Sequence, residues 1–325
     1  MRDNFAVCKL FTMENREIHA VTGAFGYSGK YITTRLLERG VEVITLTNSP
    51  NRPNPFGGKV RALGFNFDNP EILAKSLVGV KVLYNTYWVR FNHIDFSHNE
   101  AVDNTLVLFN AARIAGVERI VHISISNPDI NSSLEYFSGK ARLEEALKQT
   151  GLSYAIIRLA VLFGEEDILI NNIAWTLRKF PLFGVFGDGE YRLEPIFVDD
   201  LARICVEQGA LQENVTLDAV GPESFTYREL VQTIGSVIGR SRPIVPMPVW
   251  AGRVASSVIG YFVDDILVTP EEIEGLMADL LYTGAAPLGT TRLTQWAMEN
   301  KDTLGIQYAS ELARRLDRGK SYERG

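Results

Sequence analysis

Short apolar runs alternate with helical stretches through the first 160 residues, and this alternation limits the possible folds more than any other feature. Consecutive strands separated by helices need crossover connections, which make the strands parallel. Near-continuous apolar strands such as Arg119–Ile125 are typical of a sheet that helices cover on both faces. The pattern therefore predicts an α/β fold with a doubly wound parallel sheet. The apolar runs lie at 18–21 and 41–46, in a strand-like stretch that reaches Phe67, and at 80–84, 119–125 and 154–159; the helical stretches lie at 29–39, 70–77, 100–115 and 136–149.

The alternation weakens after Leu159. Residues 180–189 are rich in glycine and aromatic side chains, and the alternate prolines of Arg242–Pro248 predict an extended linker. Thr269 precedes Pro270 as the expected N-cap of a helix. We expect a smaller, mostly helical C-terminal lobe, with helices at 227–238, 270–281 and 309–318.

These patterns divide the chain into an N-terminal tail at 1–15, a sheet domain at 16–165 and a lobe mainly at 166–325. We expect residues 195–220 to return to the sheet domain.

Charge and cysteine content exclude some classes of partner. Lys and Arg number 33 against 39 Asp and Glu, a net charge of -6 that disfavours a nucleic-acid partner. Cys8 and Cys205 lie far apart, and His93, His98 and His122 are not at metal-ligand spacing. We therefore expect neither a disulfide framework nor a bound metal.

No basic start leads into an apolar run, so a secretory signal is not expected. The longest weakly polar stretch, at 244–263, contains Arg253, and this charge disfavours a membrane span. We expect a cytoplasmic protein without membrane insertion.

The sharpest motif is Thr22–Gly29, with glycines at G-x-x-G-x-x-G spacing between an apolar strand and a helix. Gly23 suits the tight turn, Gly26 lets the backbone approach a diphosphate, and Gly29 lets the helix pack on the strand. The helix N-terminus supplies N–H donors to the phosphates. The sequence predicts a Rossmann-type dinucleotide site that includes Thr22, Gly23, Phe25, Gly26, Tyr27 and Gly29.

The end of the second strand bears on the choice of dinucleotide. An acidic residue there would bind the 2′-hydroxyl of NAD, but this chain has Thr47–Arg52, which contains no carboxylate. Asn48, Ser49 and Arg52 are able to donate to a 2′-phosphate, which favours NADP, with NAD as the alternative. An exposed loop arginine is the other interpretation of Arg52.

Several motifs in order resemble the short-chain dehydrogenase/reductase superfamily, in its atypical and extended branches (NmrA-like or epimerase/dehydratase-like). The resemblance covers roughly residues 16–220. It implies that Phe67 and Asp68 contact the adenine end of the cofactor and that Lys140 binds the nicotinamide ribose. The matching segments are Thr22–Gly29, Phe67-Asp68, Tyr136–Lys140, Arg158–Gly164, in which Leu159 replaces the usual proline, and Pro195–Ala202.

Tyr136 and Lys140 are four residues apart, so both project from one face of the predicted helix. An adjacent ammonium lowers the pKa of a phenol, which lets Tyr136 donate a proton to a carbonyl while a nicotinamide delivers hydride. This pair predicts an acid/base centre.

The residue after the fifth strand departs from the family pattern. Redox-active members place a Ser or Thr where Ile125 stands here. Ser124 and Ser126 flank it as candidate catalytic hydroxyls, and hydrogen bonds to their own loop backbone are the alternative.

The fourth strand is followed by Asn85–Arg90, at the strand ends that face the ligand crevice. We expect Asn85, Thr86 and Tyr87 near the cofactor. Substrate contacts are assigned to Trp88, to Arg90 as an anion holder, and to Asn127. Core packing of the aromatic side chains beneath the lobe is the alternative.

The leading function is therefore an NAD(P)-dependent oxidoreductase or epimerase-like enzyme acting on a small carbonyl or hydroxyl substrate. The alternative is a non-catalytic NAD(P)-binding sensor or accessory protein, as the resemblance to NmrA-like regulators and the accessory subunit of respiratory complex I implies. The resemblance also implies a homodimer through the helices after the fourth and fifth strands. A third option, sugar-nucleotide modification, requires a second diphosphate site, for which the candidates are Arg178, Arg192, Arg240 and Arg242.

Overall fold

The computed structural model describes residues 17–250 and 269–310. Four features named from the sequence lie wholly or partly outside these residues: the predicted tail at 1–15, Cys8, most of the predicted helix at 309–318, and part of the apolar stretch at 244–263. The strands are β1 (Ile18–Thr22), β2 (Glu42–Thr47), β3 (Arg61–Gly64), β4 (Val80–Asn85), β5 (Arg119–Ile125), β6 (Ser153–Leu159), β7 (Val161–Phe163), β8 (Phe183–Phe186), β9 (Arg192–Leu193), β10 (Pro195–Phe197), β11 (Val215–Ala219), β12 (Phe225–Thr226) and β13 (Ile244–Met247).

Helices connect these strands throughout the described part of the chain. They are α1 (Tyr27–Glu38), α2 (Pro70–Ser76), α3 (His98–Ala115), α4 (Glu135–Gln149), α5 (Leu169–Lys179), α6 (Val198–Gly209), α7 (Tyr227–Val237), α8 (Pro270–Met277) and α9 (Leu293–Glu299).

The predicted doubly wound sheet is confirmed. Seven strands pair in the order β11-β6-β5-β4-β1-β2-β3, all of them parallel. Apolar side chains of α2, α3 and α4 pack on one face of the sheet, and those of α1 and α6 pack on the other. The strand order reverses between β1 and β4, which is where ligands bind in open α/β sheets.

The C-terminal lobe contains small sheets as well as the expected helices. Strands β7 and β10, β8 and β13, and β9 and β12 pair two by two around a core that also takes side chains from α5, α7 and α9. The extended linker predicted at Arg242–Pro248 is wrong in one respect, because Ile244–Met247 pairs with β8. Proline is tolerated there because β13 has a single partner strand.

The helix expected at 270–281 ends earlier, at Met277, and a turn follows it. Its predicted cap is confirmed. The Thr269 hydroxyl accepts from the Glu272 N–H at 3.2 Å, and the Glu272 carboxylate accepts from the Thr269 N–H at 2.8 Å. This capping box fixes the direction in which α8 enters the fold.

Among the described residues, none of the helices combines the length and the apolar character needed to cross a bilayer. Within the same residues, no three His, Cys, Asp or Glu side chains are grouped so that they would hold a metal ion.

Candidate functional site

The glycine turn between β1 and α1 has the geometry of a phosphate cradle. Gly23 has a φ of +64°, and a Cβ on Gly29 would lie 2.3 Å from the Gly23 carbonyl oxygen. Only glycine therefore permits this packing of helix against strand. Gly26 is the N-cap of α1, whose first turn has neither a side-chain cap nor an acidic residue. The backbone N–H groups of the helix start are thus suited to an anion, and the residues present fit a dinucleotide diphosphate.

Hydrogen bonds at the β1/β4 switch hold the turn in place. The Thr22 hydroxyl accepts from the Thr86 N–H at 2.7 Å, and the Thr86 hydroxyl donates to the Thr22 carbonyl at 2.6 Å. Asn85 is buried, and its amide lies 3.0 Å from Nδ1 of His122. Thr22, Thr86 and Asn85 therefore shape the floor of the crevice.

The segment after β2 forms a turn beside the glycine motif. The Ser49 N–H donates to the Thr47 hydroxyl at 3.0 Å, and the Arg52 N–H donates to the Ser49 carbonyl at 3.1 Å. Asn48 is exposed and Arg52 is half-buried. This turn places no carboxylate at the end of β2.

An aromatic cluster lies beyond the ends of β3 and β4. Phe67 stacks on Phe65 with ring centres 4.6 Å apart, and its centre lies 5.2 Å from that of Tyr87. The Tyr87 hydroxyl accepts from the Asn104 amide at 3.0 Å. Asp68 is exposed beside this cluster. The buried Phe65 ring and the half-buried Phe67 and Tyr87 rings give the predicted adenine end an apolar wall.

Lys140 is buried, with 3% of its surface exposed. Its Nζ donates to the Ile123 carbonyl at 2.8 Å and lies 4.3 Å from the centre of the Trp88 ring. Burial lowers the pKa of this ammonium to about 7, against an opposing effect of Glu144. The lysine thus makes its polar contacts within the protein.

Tyr136 is half-buried in aromatic and apolar surroundings. Its ring meets Trp88 edge-on, with centres 5.5 Å apart, and meets His98 in the same way at 5.5 Å. It also packs on the buried cluster that contains Phe137 and Ile125. Ile125, which stands where the family resemblance expects a hydroxyl, thus belongs to the cluster on which the Tyr136 side chain packs.

The two candidate catalytic serines have other partners. Ser124 is buried, and its hydroxyl donates to the Glu144 carboxylate at 2.6 Å. The Ser126 hydroxyl donates to the Leu280 carbonyl at 2.7 Å. Both hydroxyl protons are therefore engaged inside the protein. These partners differ from the alternative expectation of bonds to their own loop backbone, and a catalytic role for either hydroxyl stays a prediction.

A segment from the C-terminal part of the chain covers the end of β5. We call Leu280–Tyr282 the covering segment. The Asn127 amide, expected to contact substrate, donates to its carbonyls at Leu280 (3.1 Å) and Tyr282 (2.8 Å). Leu280 and Leu281 pack on the Ile125 cluster. The place predicted for a substrate thus borders a segment of the chain itself.

Arg90, expected to hold an anionic group, forms an ion pair with Glu272 of α8 at 2.5 Å. Three of the four arginines proposed for a second diphosphate site also bind their own chain. Arg178 donates to the Lys301 and Leu304 carbonyls, Arg192 pairs with Asp279, and Arg242 donates to the Leu177 carbonyl.

Sequence reasoning missed Gly139, Glu144 and the covering segment. A Cβ on Gly139 would lie 3.1 Å from Cη2 of Trp88, so this glycine admits the indole against α4. Glu144 is buried and binds Ser124 and Arg158. Its spacing of four residues from Lys140, on the face that carries Tyr136, was a signal that could have identified it.

Comparison with known proteins agrees with this geometry. Residues 23–173 match a family described as NAD(P)H-binding. The chain is 26% identical over 237 residues to the 40 kDa subunit of the mitochondrial NADH-ubiquinone oxidoreductase of Neurospora crassa; the alignment covers 70% of this chain and 62% of that subunit. It is 25% identical over 234 residues to the photosystem II assembly factor Ycf39 of Guillardia theta, covering 70% of this chain and 72% of that protein.

Among solved structures, a nucleoside-diphosphate-sugar epimerase from Staphylococcus aureus superposes with a TM-score of 0.62 at 18% identity. The match covers 91% of this chain and 99% of the epimerase. At this identity the likeness concerns the fold.

Proposed function

We propose that this protein binds NAD(P)H without transferring hydride, through residues 23–173, which match the NAD(P)H-binding family. The observation that carries this proposal is the apolar cluster around Ile125, on which both Tyr136 and the covering segment pack. Ile125 stands at the hydroxyl position, and Leu280 and Leu281 pack on the same cluster as the phenol. Carbonyl reduction needs a hydrogen-bond donor at the developing oxyanion, and Ile125 is unable to supply one.

The surroundings of Lys140 support the same proposal. Activation of Tyr136 requires a nearby positive charge that favours the phenolate. Burial lowers the pKa of Lys140 to about 7, so a large fraction of this lysine is neutral at physiological pH. A neutral amine stabilises a phenolate far less than an ammonium does.

A protein is the proposed partner in place of a small-molecule substrate. Two relatives are named as a subunit of a respiratory enzyme and as an assembly factor of a photosystem. Both names describe proteins that act within or upon larger assemblies. The cytoplasmic location and the homodimer through α3 and α4 stay predictions from the sequence.

NADP is the proposed dinucleotide, and NAD is the alternative. The support is the turn after β2, in which Asn48, Ser49 and Arg52 stand where an NAD-selective site carries an acidic residue. A carboxylate there would repel a 2′-phosphate, whereas Arg52 attracts one. NADPH is therefore expected to bind more tightly than NADH.

The test combines binding with turnover on the purified full-length chain. Nicotinamide fluorescence during titration with NADPH and NADH is expected to show stoichiometric binding. NADPH incubated with a panel of aldehydes and ketones is expected to be consumed no faster by the wild type than by Tyr136→Phe. Consumption that Tyr136→Phe abolishes would overturn the non-catalytic proposal, and no binding of either dinucleotide would overturn the dinucleotide site.

An oxidoreductase or epimerase-like enzyme is the second candidate. It is favoured by one observation, the presence of Tyr136 and Lys140 one helical turn apart on α4. A site without turnover has no chemical need for this pair. In that case Tyr136 would be the acid/base, and Tyr136→Phe would lose turnover while keeping its affinity for the dinucleotide.

A further inference from the structure

The two halves of the dinucleotide site offer very different surroundings. On the diphosphate side, the first turn of α1 presents backbone N–H groups with neither a side-chain cap nor an acidic residue. Gly26 and Gly29 carry no side chain that would keep a ligand away from the backbone at these positions. The first turn of α1 therefore offers N–H groups to a diphosphate and carries no acidic side chain that would repel it.

On the nicotinamide side, the residue that the family resemblance assigns to the ribose is already engaged. Lys140 Nζ donates to the Ile123 carbonyl at 2.8 Å and lies 4.3 Å from the centre of the Trp88 ring. Lys140 is also 3% exposed. The lysine has further N–H donors besides the one that Ile123 accepts, but Nζ is covered, so the indole must move aside before a ribose hydroxyl reaches it.

Trp88 is held firmly in that place. Its indole approaches α4 at Gly139, where a Cβ would come within 3.1 Å of Cη2. The ring stacks on His98 with a 9° angle between planes and centres 5.8 Å apart, and meets Tyr136 edge-on. Displacing Trp88 therefore breaks aromatic contacts on two sides, each a favourable interaction in itself.

We propose that the site takes its affinity from the ADP half of the dinucleotide, and that Trp88 and Lys140 leave the nicotinamide end weakly held. This rests on the proposed dinucleotide binding and specifies its ligand class. The ligands are nucleotides that contain an ADP-ribosyl group, with or without a nicotinamide. A protein of this kind responds to the total pool of such nucleotides.

The experiment compares ligands that differ only in the nicotinamide. Isothermal calorimetry on the full-length protein uses NADPH against 2′-phospho-ADP-ribose, and NADH against ADP-ribose. Within each pair the two dissociation constants are expected to agree within about threefold. A preference of more than about tenfold for the nicotinamide-containing member would overturn the inference. If none of the four ligands binds, the proposed function itself has failed.

Two variants of Trp88 test whether its ring is what leaves the nicotinamide end weakly held. Trp88→Ala removes the ring from Lys140 and is expected to shift the affinity ratio toward NADPH by at least about threefold. Trp88→Phe keeps an aromatic face over Lys140 and is expected to retain the wild-type ratio. An unchanged ratio in a folded Trp88→Ala protein would overturn the assignment of Trp88, and the wild-type comparison stands if that variant does not fold.

Discussion

The Glu144 carboxylate accepts two hydrogen bonds from the Arg158 guanidinium, at 3.0 Å from Nε and 2.6 Å from the terminal nitrogen. This pair joins α4 to β6. The Ser124 hydroxyl of β5 donates to the same carboxylate at 2.6 Å. Glu144 is 2% exposed, so these hydrogen bonds replace the water that a surface carboxylate would bind.

Replacing the arginine is expected to destabilise the fold strongly. Arg158→Met keeps most of the side-chain volume but leaves the buried Glu144 without its main counter-charge. Breaking one partner of a buried pair costs about 3–5 kcal/mol, so the free energy of unfolding should fall by that amount. Urea denaturation followed by circular dichroism measures this change.

The control for this prediction is the double variant Glu144→Gln/Arg158→Met. With the carboxylate removed as well, the buried negative charge that had lost its arginine is gone, and the double variant should be more stable than Arg158→Met alone. If the double variant is the less stable of the two, the loss comes from packing and the ion-pair interpretation is wrong.

Lys140 should make stability depend on pH above neutrality. Its pKa is about 7 in the folded protein and about 10.4 when unfolded, so between these values the unfolded chain binds a proton that the folded chain has released. Unfolding takes up that proton, and the free energy of unfolding therefore rises with pH, by at most about 1.4 kcal/mol per pH unit.

The measurement compares urea unfolding of the wild type and Lys140→Met at about pH 7, 8 and 9. The rise in the free energy of unfolding with pH should be smaller in Lys140→Met than in the wild type. Lys148→Met is the matched control, because Lys148 lies at the surface of the same helix and pairs with Glu145. Equal slopes in Lys140→Met and Lys148→Met would show that Lys140 is not the group that titrates.

A substitution at Gly26 is expected to lower NADPH affinity with little change in the free energy of unfolding. The residue has extended backbone angles that any residue adopts, and aspartate is a favoured N-cap. Gly26→Asp should therefore change the free energy of unfolding by less than about 1 kcal/mol. The carboxylate at the helix start repels the diphosphate, so NADPH affinity should fall by more than about tenfold.

Gly26→Ala serves as the uncharged control. Its Cβ would lie 3.2 Å from the Gly23 carbonyl oxygen, a contact that requires a small shift. Its loss of NADPH affinity in calorimetry should be smaller than that of Gly26→Asp. Wild-type affinity in Gly26→Asp would place the diphosphate elsewhere.

The sheet was largely predictable because its signals are local. Strand β5 was predicted with the bounds that the structure shows, since apolar residues stand on both sides of His122 and of Ser124 within it. Helix α1 begins at Tyr27, two residues before the predicted start, because Gly26 already closes the turn. The strands of the lobe escaped prediction, since runs of two to four residues carry no period.

The covering segment was not predictable for a different reason. Leu280 and Tyr282 are bound through their backbone carbonyls, by Ser126 and Asn127 more than 150 positions earlier in the chain. Every residue carries such a carbonyl, so no side-chain pattern marks the contact. The same contact changed the interpretation of Ser126, whose type and position suited a catalytic hydroxyl.

The covering segment should loosen when Asn127 loses its side chain. Asn127→Gly tolerates the left-handed φ of 48° and removes both amide hydrogen bonds, to the Leu280 and Tyr282 carbonyls. A loss of about 1.4 kcal/mol would raise the opening equilibrium about tenfold. Hydrogen exchange at the Leu280 and Tyr282 amides should quicken accordingly.

Asn66→Gly is the matched control for this exchange experiment. Asn66 also has a φ of 48°, but its amide donates to the Gly64 carbonyl within its own turn. The Asn66→Gly variant therefore removes an asparagine of the same backbone conformation that has no hydrogen bond to the covering segment. Hydrogen exchange at the Leu280 and Tyr282 amides should stay at the wild-type rate in this variant. If Asn127→Gly also leaves these rates unchanged, apolar packing on Ile125 holds the segment, and the polar anchor contributes little.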